Sequence, residues 1–421
     1  MSSSPLFQPL TLPNGAVLRN RLAKAAMEEN MAAKGQLPGP ALFRLYARWA
    51  KGGAGLLLTG NVMVDARAMT GPSGVVLDAH QPLEPFRTWA AAMRSAGGHA
   101  WMQINHPGRQ VYADMGQEAL APSPVGLDIG RYSKLFPVPR EMTEADIAAM
   151  IERFVVTSVR AEEAGFTGVE IHAAHGYLIS QFLSPLTNRR TDRWGGSLEN
   201  RARLLLAVVK AVRARVAPGF AVGVKLNSAD FQKGGFDLTD AARVVGWLGE
   251  LAVDLVELSG GSMESPAMAG APTDSTLARE AYFVEFAREI AVSAKMPIMA
   301  TGGIRRRAIA EAAVTAQANR APVDLVGMGR ALAFAPDLPA RWSAGDDVAV
   351  DLPPVNWTNQ PMARLAEMAV VKVQLKRLGA RRKPKPDVSP FLALAAQQLG
   401  KGGRTRTYRR WVAGRPSAAI A

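Results

Sequence analysis

The chain has 421 residues, is 48% hydrophobic and contains no cysteine. This apolar content is enough for a large folded core, and the lack of cysteine excludes disulfides, zinc–thiolate sites, iron–sulfur clusters and cysteine nucleophiles. The start, MSSSPLFQPL, lacks the basic and apolar regions of a signal peptide. No apolar run approaches the roughly 20 residues that span a bilayer. We therefore expect a cytoplasmic protein that does not associate with membranes.

The net charge of +14 is concentrated near the C-terminus. Residues 351–421 carry 14 Lys and Arg but 3 Asp and Glu, a net charge of +11, which leaves +3 for residues 1–350. Positive charge spread over the folded domain would indicate a nucleic-acid-binding surface, whereas positive charge confined to the C-terminal residues indicates an appended segment. We predict a folded domain at residues 1–350 and a basic C-terminal extension at residues 351–421.

Short apolar runs alternate with helical patterns between Arg21 and Arg330. Most runs are continuous, which is typical of strands buried on both faces of a parallel sheet. Eight strands that alternate with helices favour an α/β fold of the (β/α)8 barrel type over a doubly wound open sheet. The predicted strands are Leu22–Met27, Gly55–Asn61, Ala100–Asn105, Gly168–Ile171, Ala221–Asn227, Leu255–Ser259, Pro297–Thr301 and Leu325–Met328.

Turn and cap signals predict further elements around these strands. Asn14-Gly15 lies between two short extended runs, which predicts an N-terminal β-hairpin that could plug the bottom of the barrel. Thr143 and Gly165 bracket a helical pattern as its N-cap and its C-terminal stop. Helical spacing also predicts helices within Asn200–Val216 and Glu280–Ala294.

The basic extension follows a different pattern. Gln360–Leu378 and Phe391–Leu399 predict two helices, and RRKPKP separates them. We predict an irregular segment from Lys401 to Trp411 and expect the distal residues to be too charged to bury. The extension would then be a solvated tail or a contact within a homo-oligomer. Tyr408 and Trp411 are too few aromatics to indicate single-stranded nucleic-acid binding.

The segment GVEIHAAHGYLISQFLSPLTNRRTD, from Gly168 to Asp192, carries the clearest functional signal. Its apolar strand ends in His172, His175 and Tyr177, and titratable groups at the carboxyl ends of barrel strands carry the chemistry of such folds. The imidazoles could polarise a carbonyl, and the phenol could donate a proton. HxxH can also bind zinc, but no third ligand is spaced nearby, so we expect no metal. A third interpretation is that the imidazoles only cap the strand.

Two glycine-containing loops follow the seventh and eighth predicted strands. They contain Gly302 and Gly303 in ATGGI, and Gly329 and Arg330 in VGMGR. Glycines let backbone N–H groups approach a phosphate closely, and the guanidinium adds charge-assisted hydrogen bonds. Loops at these two places form a recurrent phosphate site in barrels. The alternative is that the glycines serve only as tight turns.

Gln103 and Lys225 lie within predicted apolar strands. Each needs a polar partner, because an unpaired buried amide costs about 1–3 kcal/mol and an unpaired ammonium costs more. Gln103 could bond a neighbouring backbone group. Lys225 could form a salt bridge with Asp230 or Glu257.

In five segments the chain resembles the old yellow enzyme family of FMN-dependent NAD(P)H oxidoreductases. The segments are LFQPLTLPNGAVLRNRLAKAAM, MQINHPGRQ, GVEIHAAHGYLISQFLSPLTNRRTDRWGGSLENR, VGVKLNSADF, and ATGGI with VGMGR. The resemblance implies that the barrel binds FMN at its carboxyl face and that NADH or NADPH reduces the flavin. An activated alkene, such as an enone, would then receive a hydride from flavin N5. Tyr177 would donate the proton, while His172 and His175 hold the electron-withdrawing oxygen of this small-molecule substrate.

The resemblance also implies which residues contact the cofactor. Gln103 would bond the pyrimidine edge of the flavin, and Lys225 would lie near N1 and O2. Glu28 departs from the family, where Thr or Cys is frequent. Because a carboxylate there could bind a cationic amine, the alternative function is an FMN-dependent amine dehydrogenase or demethylase. The implied cofactor-binding residues are Ala26, Met27, Glu28, Gly60, Gln103, Lys225, Gly302, Gly303, Gly329 and Arg330.

Overall fold

The computed structural model describes residues 4–265, 281, 283–317, 320–352 and 354–415. Eight parallel strands form a closed barrel, in which each strand pairs with the next and the eighth pairs with the first. The predicted (β/α)8 fold is therefore confirmed. The barrel strands are β1 Leu22–Lys24, β2 Leu56–Leu58, β3 His99–Asn105, β4 Gly168–Ala173, β5 Ala221–Asn227, β6 Leu255–Ser259, β7 Ile298–Thr301 and β8 Leu325–Met328.

Helices surround the barrel and continue into the extension. The predicted N-cap of the helix Glu144–Glu163 is present. The Thr143 hydroxyl accepts from the Asp146 N–H at 3.1 Å, and the Asp146 carboxylate accepts from the Thr143 N–H at 2.8 Å. The helices are α1 Pro40–Lys51, α2 Glu84–Arg94, α3 Glu144–Glu163, α4 Leu178–Leu183, α5 Leu198–Arg213, α6 Leu238–Gly249, α7 Val284–Ala291, α8 Arg307–Val314, α9 Arg330–Phe334, α10 Leu338–Ser343, α11 Gln360–Gly379, α12 Pro390–Gln398 and α13 Lys401–Ala413. Residues 280 and 282 of the predicted helix around α7 lie outside the described residues. None of the helices in the described ranges is long and apolar enough to cross a membrane.

The N-terminal hairpin closes the amino end of the barrel, as predicted. Leu10–Thr11 pairs antiparallel with Val17–Leu18, and the hairpin packs into the barrel interior because its buried face is entirely leucine. That cluster contains Leu10, Leu12, Leu18, Ala23, Leu56, Leu58, Trp101, Ala221, Leu255, Met299 and Leu325. Four other short strands, at Val62–Met63, Val75–Val76, Leu120–Ala121 and Arg140–Glu141, lie in the loops.

Three helices, α11 to α13, make up most of the described part of the extension, and the prediction of an irregular segment from Lys401 to Trp411 is wrong. The segment lies within α13, and Tyr408 is 1% exposed. Tyr408 packs with Met63 and Met115 and donates from its hydroxyl to the Ala66 carbonyl at 2.7 Å. The charged residues of α13 can remain at the surface while one face is buried, so a high charge did not prevent docking.

Candidate active site

A cavity of about 280 Å³ opens at the carboxyl ends of the barrel strands. Its walls come from the carboxyl ends of the barrel strands, from the loops that follow them and from α11, so residues far apart in the sequence meet there. The predicted site residues that line it are Ala26, Met27, Glu28, Gln103, His172, His175, Tyr177, Lys225, Gly302, Gly303, Gly329 and Arg330.

Gly60 is the predicted site residue that does not line this cavity. Its N–H donates to Glu29 Oε1 at 3.1 Å and to the Tyr46 hydroxyl at 3.0 Å. A Cβ at this position would lie 2.1 Å from Glu29 Oε2. The local packing therefore requires glycine behind the cavity wall.

His172, His175 and Tyr177 converge on the cavity. The His172 ring lies edge-on to both others, with centroid distances of 5.0 Å to His175 and 4.9 Å to Tyr177. His175 and Gly176 have φ angles of +62° and +70°, and this left-handed turn brings the chain back so that Tyr177 faces the imidazoles.

The hydrogen bonds of the two imidazoles define what each ring can do. His172 Nδ1 accepts from the Ala174 N–H at 3.2 Å, which assigns the ring proton to Nε2 and makes Nε2 a donor. His175 Nε2 lies 2.9 Å from Ser259 Oγ, and Asn227 Oδ1 accepts from the His175 N–H at 3.1 Å. The two rings are thus held by different partners.

Burial sets the protonation of the three groups. It lowers the pKa of His172 well below the ordinary value, and the positive charge of Lys225 lowers it further. Burial, then His172 and Lys225, lower the pKa of His175 in the same way. Burial raises the pKa of Tyr177 above that of a free phenol, as does the nearby Glu28 carboxylate. At neutral pH the site therefore holds neutral imidazoles and a protonated phenol, all three able to donate hydrogen bonds.

A buried polar network lies beside the imidazoles. Lys225 forms an ion pair with Glu257, its neighbour in the strand register, which is one of the two partners expected for it. Gln103 Nε2 donates to Glu170 Oε2 at 2.6 Å rather than to a backbone group, so its carbonyl oxygen remains available as an acceptor.

The two carboxylates of this network differ in charge. Burial raises the pKa of Glu170 well above its usual range, and the charge of Glu257 raises it further. Burial also opposes ionisation of Glu257, but the charge of Lys225 and hydrogen bonds outweigh it and lower the pKa. The arrangement is a neutral acid at Glu170 and a carboxylate at Glu257 beside the ammonium. The sequence had indicated Glu257 as a possible partner of Lys225 but Glu170 was missed, although an acidic residue within the apolar run GVEIHA is a signal that could have found it.

Glycine-rich loops and a cation form the end of the cavity beyond β7 and β8. Gly302 and Gly303 have φ angles of +153° and +73°, which favour glycine. A Cβ on Gly329 would contact Met27 Cγ at 3.5 Å, and Arg330 follows it. Exposed backbone and a guanidinium at this end, with the Gln103 carbonyl and the Lys225 ammonium further in, match a ligand that has an anionic phosphate and a polar ring edge. The residues present therefore fit FMN.

Glu28 and Glu29 face different surroundings. Glu28 lines the cavity, where its carboxylate accepts from the Thr70 hydroxyl and lies 3.5 Å from Lys372 Nζ. Glu29 is buried and accepts from the Tyr46 hydroxyl. The carboxylate at the cavity is thus that of Glu28, and it already has partners within the chain.

Other polar residues near the site stabilise loops. Arg109 forms an ion pair with Glu264 and donates to the Val125 and Gly126 carbonyls at 3.2 and 2.8 Å. These contacts brace the loop after β3. Within the described ranges of the chain, no group of three or more His, Cys, Asp or Glu side chains could hold a metal ion.

The model of the NADH:flavin oxidoreductase / NADH oxidase family matches residues 5–347. The NADH-dependent flavin oxidoreductase iliE of Hypocrea jecorina (strain QM6a) is 39% identical over 355 residues, covering 79% of this chain and 87% of that protein. Morphinone reductase in complex with tetrahydroNAD is 25% identical, with a TM-score of 0.68, over 83% of this chain and 93% of that one. The complex of 2-naphthoyl-CoA reductase with 2-naphthoyl-CoA shares the fold at 22% identity, with a TM-score of 0.73, over 95% of this chain and 70% of that one.

A closed (β/α)8 barrel whose carboxyl end carries glycine-containing loops, a guanidinium and buried polar groups fits a flavin-dependent oxidoreductase. The chain belongs to the NADH:flavin oxidoreductase / NADH oxidase family, and the predicted old yellow enzyme relationship is confirmed. Its cofactor is FMN, with NADH or NADPH as the reductant.

Proposed function

We propose that the protein reduces activated alkenes, such as enones, at the cavity formed by His172, His175 and Tyr177. The observation that carries this proposal is that three neutral donors line one cavity side by side, with the His172 ring centroid 5.0 Å from that of His175 and 4.9 Å from that of Tyr177. Neutral donors suit an uncharged carbonyl or nitro oxygen that gains negative charge during reduction. The small-molecule substrate is therefore an electron-poor alkene.

The cofactor contacts follow from the lining of the cavity. We assign the FMN phosphate to Gly302, Gly303, Gly329 and Arg330, and the flavin ring to the other end. Gln103 would accept a hydrogen bond there through its carbonyl oxygen, and Lys225 would offer its remaining N–H donors. Ala26, Met27 and Glu28 would border the ring after β1, while Gly60 would support that wall from behind.

Bound FMN supplies the hydride acceptor and donor that the chain itself lacks. The residues of the chain orient and polarise the substrate. His172 Nε2 donates to the substrate oxygen, and His175 donates to the same atom. Tyr177 Oη donates the proton to the α-carbon, and its raised pKa keeps that proton in place until the reaction.

Oxidation of a cationic amine is supported less well. That function would require the Glu28 carboxylate to bind the amine. Thr70 and Lys372 already interact with it, so a second cation would have to compete with an ammonium that is covalently fixed in the site.

The division of the chain is part of the proposal. Residues 1–350 would form the FMN-binding barrel and residues 351–421 an extension that docks on it. We propose that the protein acts in the cytoplasm.

Rapid mixing of the reduced enzyme with a cyclic enone, and of the oxidised enzyme with a methylated amine, tests the proposal. We expect the enone to reoxidise the flavin in a single saturable phase. In the reverse experiment the oxidised enzyme should not be reduced by trimethylamine. Reduction by the amine without reoxidation by any enone or nitroalkene would replace the proposed function with the amine dehydrogenase alternative.

A further inference from the structure

Helix α11 forms one wall of the cavity, although it lies beyond the residues 5–347 that the family model matches. Its cavity-lining residues recur every three or four positions and so share one face of the helix. They are Arg364, Glu367, Met368, Val371, Lys372 and Leu375. The extension thus contributes cations, a carboxylate and apolar groups to the site.

Contacts at its C-terminal half fix α11 against the barrel. The Gly379 carbonyl accepts from Arg44 Nε at 2.6 Å, and a Cβ on Gly379 would lie 2.8 Å from the Ala41 carbonyl oxygen. Lys372 donates to Asn30. Because these contacts join α11 to α1 and to the loop after β1, the helix is a fixed wall.

The first turns of α11 lie beside the phosphate cradle. Glu367 Oε2 is 3.9 Å from the Arg330 guanidinium, and Glu367 Oε1 accepts from the Val355 N–H at 3.0 Å. Arg364 precedes Glu367 by one turn on the same face. Arg364 also lines the cavity, so it lies near the end that contains Arg330.

Arg364 is a cation whose charge has no partner among the residues that the structure describes. Its Nε is buried and has no hydrogen-bond partner in the part of the chain that the structure describes, and no ion pair joins it to a described carboxylate. A buried donor without an acceptor is costly, and an anionic ligand at this end of the cavity would satisfy it.

We propose that Arg364 is a second phosphate-binding cation for FMN, contributed by the extension. The inference rests on the cofactor placement given under the proposed function. A planar guanidinium can bind two phosphate oxygens at once, and Arg330 would approach from β8 while Arg364 approaches from α11. The cofactor would then be anchored from both parts of the chain.

Measuring how tightly the apoprotein binds FMN and riboflavin distinguishes a phosphate contact from a structural role, because riboflavin lacks the phosphate. We expect Arg364→Ala to weaken FMN binding at least about tenfold and to leave riboflavin binding within about twofold. Arg364→Lys should fall between the wild type and Arg364→Ala, because lysine offers one point of contact. The control is Lys376→Ala, which removes one exposed positive charge from α11 and should change neither affinity.

Three outcomes would overturn the inference. If Arg364→Ala leaves the ratio of the FMN and riboflavin affinities unchanged, Arg364 does not contact the phosphate, whether both affinities are retained or both fall. If Arg364→Ala raises the KM for NADH or NADPH and leaves the FMN affinity unaltered, Arg364 binds the phosphates of the dinucleotide and not that of FMN. A wild-type protein that binds neither flavin would contradict the proposed function itself, and the inference with it.

Discussion

The two ends of the barrel enclose opposite kinds of side chain. At the amino end the hairpin places Leu10 and Leu18 against Trp101, and that cluster is entirely apolar. At the carboxyl end, His172 and Lys225 lie in neighbouring strands and face a cavity. The same strands supply both ends, so chemistry and stability are separated along each strand.

This separation has a physical basis. The apolar end gains stability from burial, whereas each buried polar group at the other end costs free energy until a ligand or a partner satisfies it. Changes at the carboxyl end should therefore alter binding and turnover with little loss of stability. Changes at the amino end should do the reverse.

Tyr177→Phe should have the largest effect on turnover. Loss of the proton donor is expected to slow alkene reduction about 10²–10⁴-fold, while reduction of the flavin by NADH and the melting temperature stay close to wild type. Stopped-flow measurement of both half-reactions provides the test. Tyr112→Phe is the matched control, since Tyr112 stacks on Phe136 outside the cavity lining. Equal rates of alkene reduction in Tyr177→Phe and the wild type would show that Tyr177 is not the proton donor.

Leu18→Ala should have the largest effect on stability. Leu18 is 0% exposed within the plug, and truncation of a buried leucine costs about 2–5 kcal/mol. Urea unfolding should show this loss, while the folded fraction keeps wild-type half-reaction rates. Val17→Ala, at a side chain that is 53% exposed on the same strand, should change stability by less than about 0.5 kcal/mol. If the two variants unfold alike, the plug does not stabilise the barrel.

Arg330→Ala should weaken FMN binding by about 10–150-fold, which corresponds to the loss of a charge-assisted hydrogen bond worth about 1.5–3 kcal/mol. The far-UV circular dichroism should not change. Flavin titration of the apoprotein measures the effect. Arg341→Ala removes a partly exposed guanidinium that pairs with Asp346 and serves as the control. Full affinity in Arg330→Ala would place the phosphate elsewhere.

The smallest expected effect is that of pH. The pKa values of His172 and His175 lie below the ordinary value and that of Tyr177 lies above it. The imidazoles are therefore neutral above about pH 6.5 and the phenol is protonated below about pH 10. We expect the rate of alkene reduction by the reduced enzyme to be constant between these limits. An inflection near pH 7 that disappears in His172→Ala would show that the imidazole titrates during function.

The barrel could be predicted from the sequence because its strands are continuous apolar runs. β5, β6 and β8 begin and end at the predicted residues, while β1 ends at Lys24, earlier than predicted, and Ala26 and Met27 line the cavity beyond it. The residues Gln103 and Lys225 could be found because each is polar within such a run. Their partners were harder to assign, since Glu170 meets Gln103 only through strand register.

The extension could not be predicted equally well. Its charge suggested a solvated tail, but Thr405 and Tyr408, three residues apart, are buried on one face of α13. The contribution of α11 to the cavity was also missed, because a predicted helix with apolar residues such as Met368 and Val371 does not reveal which surface those residues contact.

The visible absorption spectrum of the purified protein tests the central claim most directly, namely that the carboxyl end of the barrel holds FMN. We predict a yellow protein with about one FMN per chain, released on denaturation, whose absorption is bleached by NADH or NADPH under anaerobic conditions and restored by an enone. A colourless protein that cannot be reconstituted with FMN would contradict the account.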